Sequence, residues 1–305
     1  MSDFTDHWLT LRAPADRRAR ADHLLRWLQI DPAQGLDVLD LGCGNGANLR
    51  HLAPLLADAG AGQQRWTCVD IDPALLHQLP ARTAAWAQSI GLEYSLQQTA
   101  NLMVAGSDWH APVHLLQLDL ASVPRQLPLP DGGLVTASAL LDLVSARWLD
   151  ALLDRCHAAR CQLLFALNYD GRCEWWPEHP EDAMVLDLVN RHQRTDKSFG
   201  PALGPAAAAY AAARCMELGY HIDSQPSDWH LRADQSELQR ALMDGWRQAA
   251  LQLDPARADR IDIWHCAHVG SIDAGRLNIL VGHQDLVATT PSGDSATHKE
   301  ALFTT

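Results

Sequence analysis

The chain has 305 residues, enough for one large domain or two small ones, and its 47% hydrophobic and 20% charged residues suit a globular protein rather than a disordered or fibrous one. A net charge of −13 argues against nucleic acid as a partner, because phosphate-binding proteins leave a basic footprint. Seven cysteines without a Cys-x-x-Cys pair argue for reduced thiols, and residues 1–6 lack an export signal's basic start and apolar core, so a cytoplasmic protein without membrane contact is expected.

Residues 16–28 carry Leu24, Leu25 and Leu28 on one side and Arg17, Arg18 and Arg20 on the other, which predicts an amphipathic first helix. The apolar run 36–41, ending at a glycine turn, predicts a buried strand. Residues 45–59, with Leu49, Leu52, Leu55 and Leu56 at helical spacing, predict the helix after it. A second strand is expected at 66–70 and a helix from Pro73 to about Gly91. Strands follow at 113–118 and 133–138, then a helix at 146–158 and a fifth strand at 161–167. This alternation predicts a parallel sheet with helices on both faces. The last third holds helices at 206–218 and 235–253, a strand beginning at 220–223 and a final strand at 277–284. One α/β domain over 1–289 is the simplest organisation, and the polar, aperiodic residues 290–305 read as a disordered tail.

The stretch VLDLGCGNGANL, residues 38–49, fits two nucleotide patterns. Gly42, Gly44 and Ala47 satisfy the dinucleotide fingerprint Gly-x-Gly-x-x-Gly/Ala. Asp40 with Gly42, Gly44 and Gly46 satisfies Asp-x-Gly-x-Gly-x-Gly, the pattern of S-adenosylmethionine (SAM) sites. Asp40 discriminates between them. A carboxylate at the strand end repels a pyrophosphate but stabilises the ammonium and sulfonium of SAM. The plainer alternative is a solvated Asp that helps to cap the turn. Asp70, ending the second strand in CVDIDP with Ile71 after it, can accept both ribose hydroxyls. Asp119, in LLQLDLAS, can accept the adenine amino group with Leu120 beside the ring. All three acids stand at carboxyl ends of parallel strands, where open α/β sheets bind ligands.

Together, Asp40 to Gly46, Asp70 and Asp119 resemble the class I SAM-dependent methyltransferases of the small-molecule type, over roughly residues 36–167 and more loosely to residue 284. The resemblance implies a doubly wound, seven-stranded, mostly parallel α/β sheet with an antiparallel last strand. This is the Rossmann-like methyltransferase fold, here with a substrate-capping insertion. It implies SAM as cofactor, S-adenosylhomocysteine as product, and methyl transfer to an O, N or C nucleophile of a small molecule, anionic in one reading. Asp40, Gly42, Cys43, Gly44, Gly46, Asp70, Ile71, Asp119 and Leu120 then fall at cofactor positions, and Ser138 and Ala139 border the methionine end. Residues 1–30 look like the lid helix of small-molecule members, which brings an arginine to the SAM carboxylate; Arg12 is the first candidate and Arg17 the second. A protein methyltransferase, a non-catalytic SAM-binding protein and an NAD-type oxidoreductase are the alternatives. Asp40 and the lack of a second mononucleotide half disfavour the last.

On the acceptor side, SALLDLVS places Asp142 where a side chain can face the methyl, or where a helix N-terminal Asp is favoured by the dipole. The Asn/Asp-Pro-Pro-Tyr/Phe motif of nucleic-acid amino methylases is absent from this position. The connection 168–205 is long enough to predict a functional insertion, with a helix starting near Pro180. Glu181 and Asp182 suit that helix's first turn, and Arg191, His192 and Arg194 its last. Arg191, His192, Arg194 and Lys197 either hold an anionic acceptor or form a solvated run; only Lys197 and Lys299 are lysines among 24 basic residues, which singles out Lys197. Asn168 and Tyr169 are expected to line the acceptor, and His192, Asp142 and Tyr169 are the candidate bases. Trp175 and Trp176 either stack on a planar acceptor or anchor the insertion. His265 and His268 offer an i, i+3 pair without further partners at ligand spacing, so no metal is expected.

Overall fold

The computed structural model describes residues 5–96, 102–122 and 126–291, so the expected tail, with Lys299, lies outside the described residues from position 292 on. Strands β1 (Leu36–Leu41) and β2 (Gln64–Asp70) form where short apolar runs meet glycine or Asp-Pro breaks. They pair in parallel, with Leu36 opposite Gln64 and Leu41 opposite Val69. β3 (Glu93–Leu96) and β4 (Leu102–Ala105) are antiparallel, and β4 edges β5 (His110–Gln117), which runs parallel to β2. β6 (Leu134–Ser138) and β7 (Gln162–Trp176) extend the parallel set beyond β1. β8 (His221–Pro226), β9 (Trp229–Leu231) and β10 (Asn278–Thr289) complete the sheet, and β10 is antiparallel to β7, β8 and β9.

The path is β3-β4-β5-β2-β1-β6-β7-β10-β8, with β9 on β10. Its centre, β5-β2-β1-β6-β7-β10-β8, is the expected doubly wound set of seven with its last strand antiparallel. The sheet is ten-stranded rather than seven because the β3–β4 hairpin and β9 are added.

Alternate residues of β1 face opposite layers, as the two-residue period of a strand requires. Leu36 and Val38 share a core with Leu49, Leu52 and Leu56 of α2 (Ala47–Asp58) and with Leu76 and Leu79 of α3 (Pro73–Ser89). Leu39 and Leu41 share another with Leu149, Leu152 and Leu153 of α4 (Ala146–Ala158). A third core joins the far halves of β7 and β10 to α5 (Asp182–Gln193), α7 (Ser236–Leu253) and α8 (Ala258–Asp273). There the carboxylate of Asp182 accepts from Trp264 Nε1 at 2.7 Å and meets His268 Nε2 at 2.8 Å. The remaining helix, α6 (Ala207–Glu217), packs in the α4 layer.

Two expectations are corrected, and one helix is added. The first helix is α1, Asp6–Ala19, not residues 16–28. Thr5 caps it by accepting from Trp8 N, and it stops because Arg20 is extended (ψ 139°) and Ala21 N donates to Asp285 instead of to a helix carbonyl. Leu24 and Leu25 still reach the core, from a 3-10 turn at Asp22–Trp27. The connection 168–205 begins as strand: β7 runs on to Trp176 with Cys173 and Trp175 buried and Arg172, Glu174 and Trp176 exposed. α8, unmarked in the sequence reading, is a full helix. No helix among the described residues is long and apolar enough to cross a membrane. All seven cysteines are free, six of them buried and Cys266 exposed.

Candidate active site

From the end of β1 the chain turns through Gly42, Cys43, Gly44 and Asn45 into α2. Gly44 (φ +54°) and Gly46 (φ +84°) are left-handed, and a Cβ on Gly46 would stand 2.7 Å from Leu79 Cγ. Glycine is required there for both conformation and space. Cys43 N donates to Val69 O at 2.9 Å and Gly44 N to Asp70 Oδ2 at 2.7 Å, which ties the turn to the end of β2. The Cys43 thiol is buried and its pKa is driven up by neighbouring Cys68 and by burial, so this residue offers its backbone rather than its sulfur.

Asp70 Oδ1 accepts from Asp72 N at 2.9 Å. Burial raises its pKa while these amides oppose the rise. Each carboxylate oxygen has room for a second donor. Ile71, next to it, is 55% exposed, an apolar side chain left bare at the strand end. Asp119 is half-buried and accepts from Ala121 N at 2.9 Å. Leu120 is buried in the α4 core, and its carbonyl accepts from Trp148 Nε1 at 2.6 Å.

Asp40 is fully buried, so it is neither solvated nor a cap. Its Oδ1 accepts from Asn48 Nδ2 at 2.8 Å, and its Oδ2 has no partner. Burial pushes the carboxyl up to about 7, against the Asn48 bond and the charge of Arg20. Arg20, just past α1, donates from Nη1 to Asn48 Oδ1 at 2.7 Å and from Nη2 to Ser138 Oγ at 2.8 Å. Burial lowers its pKa, opposed by the fields of Asp285, Asp16 and Asp40. Ala139 follows Ser138 with φ +52°. The arginine against Ser138 is therefore Arg20. Arg12 instead pairs with Asp16 (2.9 Å) and lies 5.1 Å over the Trp229 ring, while Arg17 is exposed. Nothing in the sequence separates Arg20 from its neighbours, because the choice depends on where α1 ends.

A cleft of about 420 Å³ runs between α1 and the glycine turn, lined by Arg12, Arg17, Arg20, Gly42, Asn48 and Ser138 among others; Asp40, Asp70 and Asp119 are not in its lining. α1 borders it on one side. Leu9 Cδ1 would meet a Cβ on Gly44 at 3.1 Å, Asn45 Nδ2 donates to Asp6 Oδ1 at 3.0 Å, and Asp6 pairs with Arg82 of α3. An α-amino acid group suits this cleft: the Arg20 guanidinium in its lining can donate to a carboxylate, and Asp40, buried beyond the lining but bonded to Asn48 within it, supplies negative charge that favours an ammonium. A pyrophosphate would suit Arg20 but not Asp40.

On the acceptor side, Asp142 sits in the 3-10 turn Leu141–Leu143 after β6 and is buried. It does not cap α4, because Ser145 Oγ does so by accepting from Trp148 N at 3.3 Å. Burial pushes its carboxyl up to about 6, against the charges of Arg12 and Lys197. Tyr169 donates its hydroxyl to Asn190 Oδ1 at 2.8 Å, and burial raises its pKa. Asn168 Nδ2 donates to Phe165 O at 3.1 Å and Gln284 O at 2.9 Å, while its Oδ1 is unpartnered.

The basic run is dispersed. Arg191 pairs with Asp187 (3.6 Å), Arg194 donates to Asn190 O at 3.4 Å, and His192 Nε2 meets Gln252 Oε1 at 2.9 Å. Lys197 donates to Thr195 Oγ1 at 3.0 Å; burial lowers its pKa and Asp142 raises it. Trp175 is core, edge-on to Trp246 and Trp264, and Trp176 is exposed on the opposite face of β7. Trp175 alone anchors the insertion, and the two rings do not form one stacking platform. His283, which the sequence reading passed over, is buried against Tyr169 and Trp229, and burial brings its pKa down to about 4. His265 meets Asp244 and His268 meets Asp182. Among the described residues no group of three or more His, Cys, Asp or Glu is arranged to hold a metal.

No protein-family model matches the chain, and no curated protein matches it. It is similar to a solved mycolic acid cyclopropane synthase complexed with SAH (12% identity, TM-score 0.45, covering 94% of this chain and 87% of that one). It is also similar to a cyclopropane-fatty-acyl-phospholipid synthase-like protein from Lactobacillus casei (14%, TM-score 0.47, 93% of each chain). A third likeness is to a SAM-dependent methyltransferase from Geobacter sulfurreducens in complex with S-adenosylhomocysteine (16%, TM-score 0.38, 94% and 92%). Identities and TM-scores this low carry no argument about the site.

Proposed function

We propose that this chain transfers the methyl group of SAM to a small-molecule nucleophile. The observation that carries the reading is the opposed pair at the glycine turn: buried Asp40 with an unpartnered oxygen, and Arg20 held on Ser138 Oγ and Asn48. An acid and a base bridged by Asn48 suit the zwitterionic end of SAM, whereas a dinucleotide's pyrophosphate would meet the repulsion of a carboxylate. Asp70 would accept the ribose hydroxyls, and Ile71 and Asp119 would flank the adenine.

When bound, SAM supplies an electrophilic methyl group on sulfonium. The chain's part is positioning and exclusion of water under α1, which accounts for much of the rate in a reaction between two held partners. Asp142 is the best placed of the candidate bases. It is buried, its carboxyl has a pKa of about 6, and it stands in the field of Lys197. Tyr169 is held by Asn190, and His192 faces Gln252 on α7.

The test of the cofactor is thermal. S-adenosylhomocysteine at about a hundred times its dissociation constant should stabilise the fold by about 2.7 kcal/mol, a rise of several degrees at roughly 2–4 °C per kcal/mol. NAD should leave the melting point unchanged; a rise with NAD and none with S-adenosylhomocysteine would overturn the reading.

A further inference from the structure

We propose that Asp285 of β10 is a positioning residue for cofactor binding, fixing the Arg20–Ala21 junction to the bulge within β7 so that Arg20 stays over the cleft. The inference rests on the cofactor reading above and adds a residue that touches neither cofactor nor acceptor. β10 and β7 pair Gln284 with Asn168 and Leu286 with Phe165, so two residues of β7, Ala166 and Leu167, stand opposite Asp285. Such a bulge turns one amide out of the ladder. Leu167 is left-handed there (φ +56°), and its N–H donates to Asp285 Oδ1 at 2.6 Å.

The other oxygen, Oδ2, accepts from Ala21 N at 3.0 Å. That amide is free because α1 ends at Ala19 and Arg20 is extended. One buried carboxylate, 3% exposed, thus clasps two backbone amides far apart in sequence, the joint just past α1 and the bulge of the strand that carries Asn168 and Tyr169. Charge-assisted bonds of this kind are short and strong, and losing the acceptor leaves two buried donors unpaired. Asp285 is also the foremost of the acids whose charge offsets the burial of Arg20. Asp6 holds the other end of α1 through Asn45 and Arg82, so the lid is pinned at both ends, and the pin beside Arg20 is Asp285.

The experiment is a double-mutant cycle on S-adenosylhomocysteine affinity, by calorimetry on the full chain, with Asp285→Asn, Arg20→Met and the double variant. In Asp285→Asn an NH2 faces an N–H, so one clasp is lost. Affinity should fall roughly tenfold or more, as should that of Arg20→Met, and the double variant should bind no worse than Arg20→Met alone. Losses that multiply, or an unchanged affinity in Asp285→Asn, overturn the proposal. If Asp285→Asn shows no cooperative melt, Ala21→Pro takes its place. It deletes the Ala21 donor, keeps the carboxylate and its bond to Leu167, and fits an Ala21 φ of −86° after an extended Arg20. It should lose affinity in the same Arg20-dependent way, and wild-type affinity in this variant also overturns the proposal. Wild-type protein that fails to bind S-adenosylhomocysteine sinks the cofactor reading itself, a result distinct from a wild type that binds and variants that bind equally well.

Discussion

Arg20 Nη2 donates to Ser138 Oγ at 2.8 Å, so the residue just past the lid helix touches the residue that ends β6. Docking α1 and completing the methionine end of the proposed cofactor site are therefore one event. The same guanidinium reaches Asn48, which in turn donates to Asp40, and this chain of contacts joins the lid, α2 and β1.

The first prediction follows from that contact. Arg20→Met should weaken S-adenosylhomocysteine binding roughly ten- to a hundredfold, the worth of one charge-assisted bond of about 1.5–3 kcal/mol. Arg17→Met, at an exposed position of α1, should bind as the wild type does. Calorimetry on both variants decides; equal losses would mean that the lid contributes diffuse positive charge rather than one placed guanidinium.

The sequence made the cofactor half of this site legible and the lid half illegible, for a physical reason. The later residues of β1 and β2 are buried on both faces, so Asp40 and Asp70 stand out there against apolar neighbours. The identity of the lid arginine depends on an Ala21–Asp285 bond between residues 264 apart in the chain, which no local pattern records. β7 beyond Leu167 was hidden by Asp170, Gly171 and Arg172, a turn-like composition. Its two-residue alternation of Cys173 and Trp175 against Arg172, Glu174 and Trp176 carries the strand signal over too short a span to outweigh that. Arg191 meets Asp187 one turn back on α5, an i, i+4 pair that the sequence offers, whereas Lys197 stands in the field of Asp142, far away in the chain, which no local pattern records.

A second prediction concerns Gly46. Its left-handed backbone and the 2.7 Å approach to Leu79 Cγ mean that Gly46→Ala strains both the backbone and the α3 packing. A loss of about 1–3 kcal/mol is expected, lowering the melting point by roughly 2–4 °C per kcal/mol. Gly91→Ala is a fit comparison, since it has the same sign of φ (+74°) but nothing within 4 Å. It should cost less, and if the two melt alike the crowding at Leu79 plays no part.

A third prediction is a pH dependence at Asp40. Its folded pKa is raised from 3.8 to about 7, so between these values the native state holds a proton that the unfolded chain has released. The associated stability is present below the lower value and is lost as pH rises toward the upper one. Relative to Asp40→Asn, the ligand-free wild type should therefore lose melting temperature from about pH 5 to about pH 7. Binding an ammonium beside Asp40 favours the ionised carboxyl, so affinity for S-adenosylhomocysteine should rise over the same window, with proton release. Arg20 and Asp70 also face Asp40, but Arg20 keeps its charge throughout the window, and Asp70 can be separated by repeating the series in Asp70→Asn. A wild-type affinity flat across the window would remove Asp40 from the ammonium site.

The fourth prediction addresses the acceptor side, where half-buried Lys197 stands in the field of buried Asp142. If Asp142 takes the acceptor's proton, kcat/KM should fall below about pH 6, where its carboxyl is protonated. Asp142→Asn should abolish that acid limb and cost roughly 10²–10⁴ in kcat, the usual worth of a positioned base. Lys197 lowers the Asp142 pKa by its charge, so Lys197→Met should move the limb to higher pH while leaving S-adenosylhomocysteine affinity intact. An acceptor for these assays can be isolated by incubating labelled SAM with a cell extract and recovering the labelled product. A limb that stays in place in Lys197→Met while KM for the acceptor rises would make Lys197 a binding cation for an anionic acceptor instead. A limb and a KM that both stay in place would return Lys197 to the surface, and with it the whole run from Arg191, since the other three members already have partners on α5 and α7.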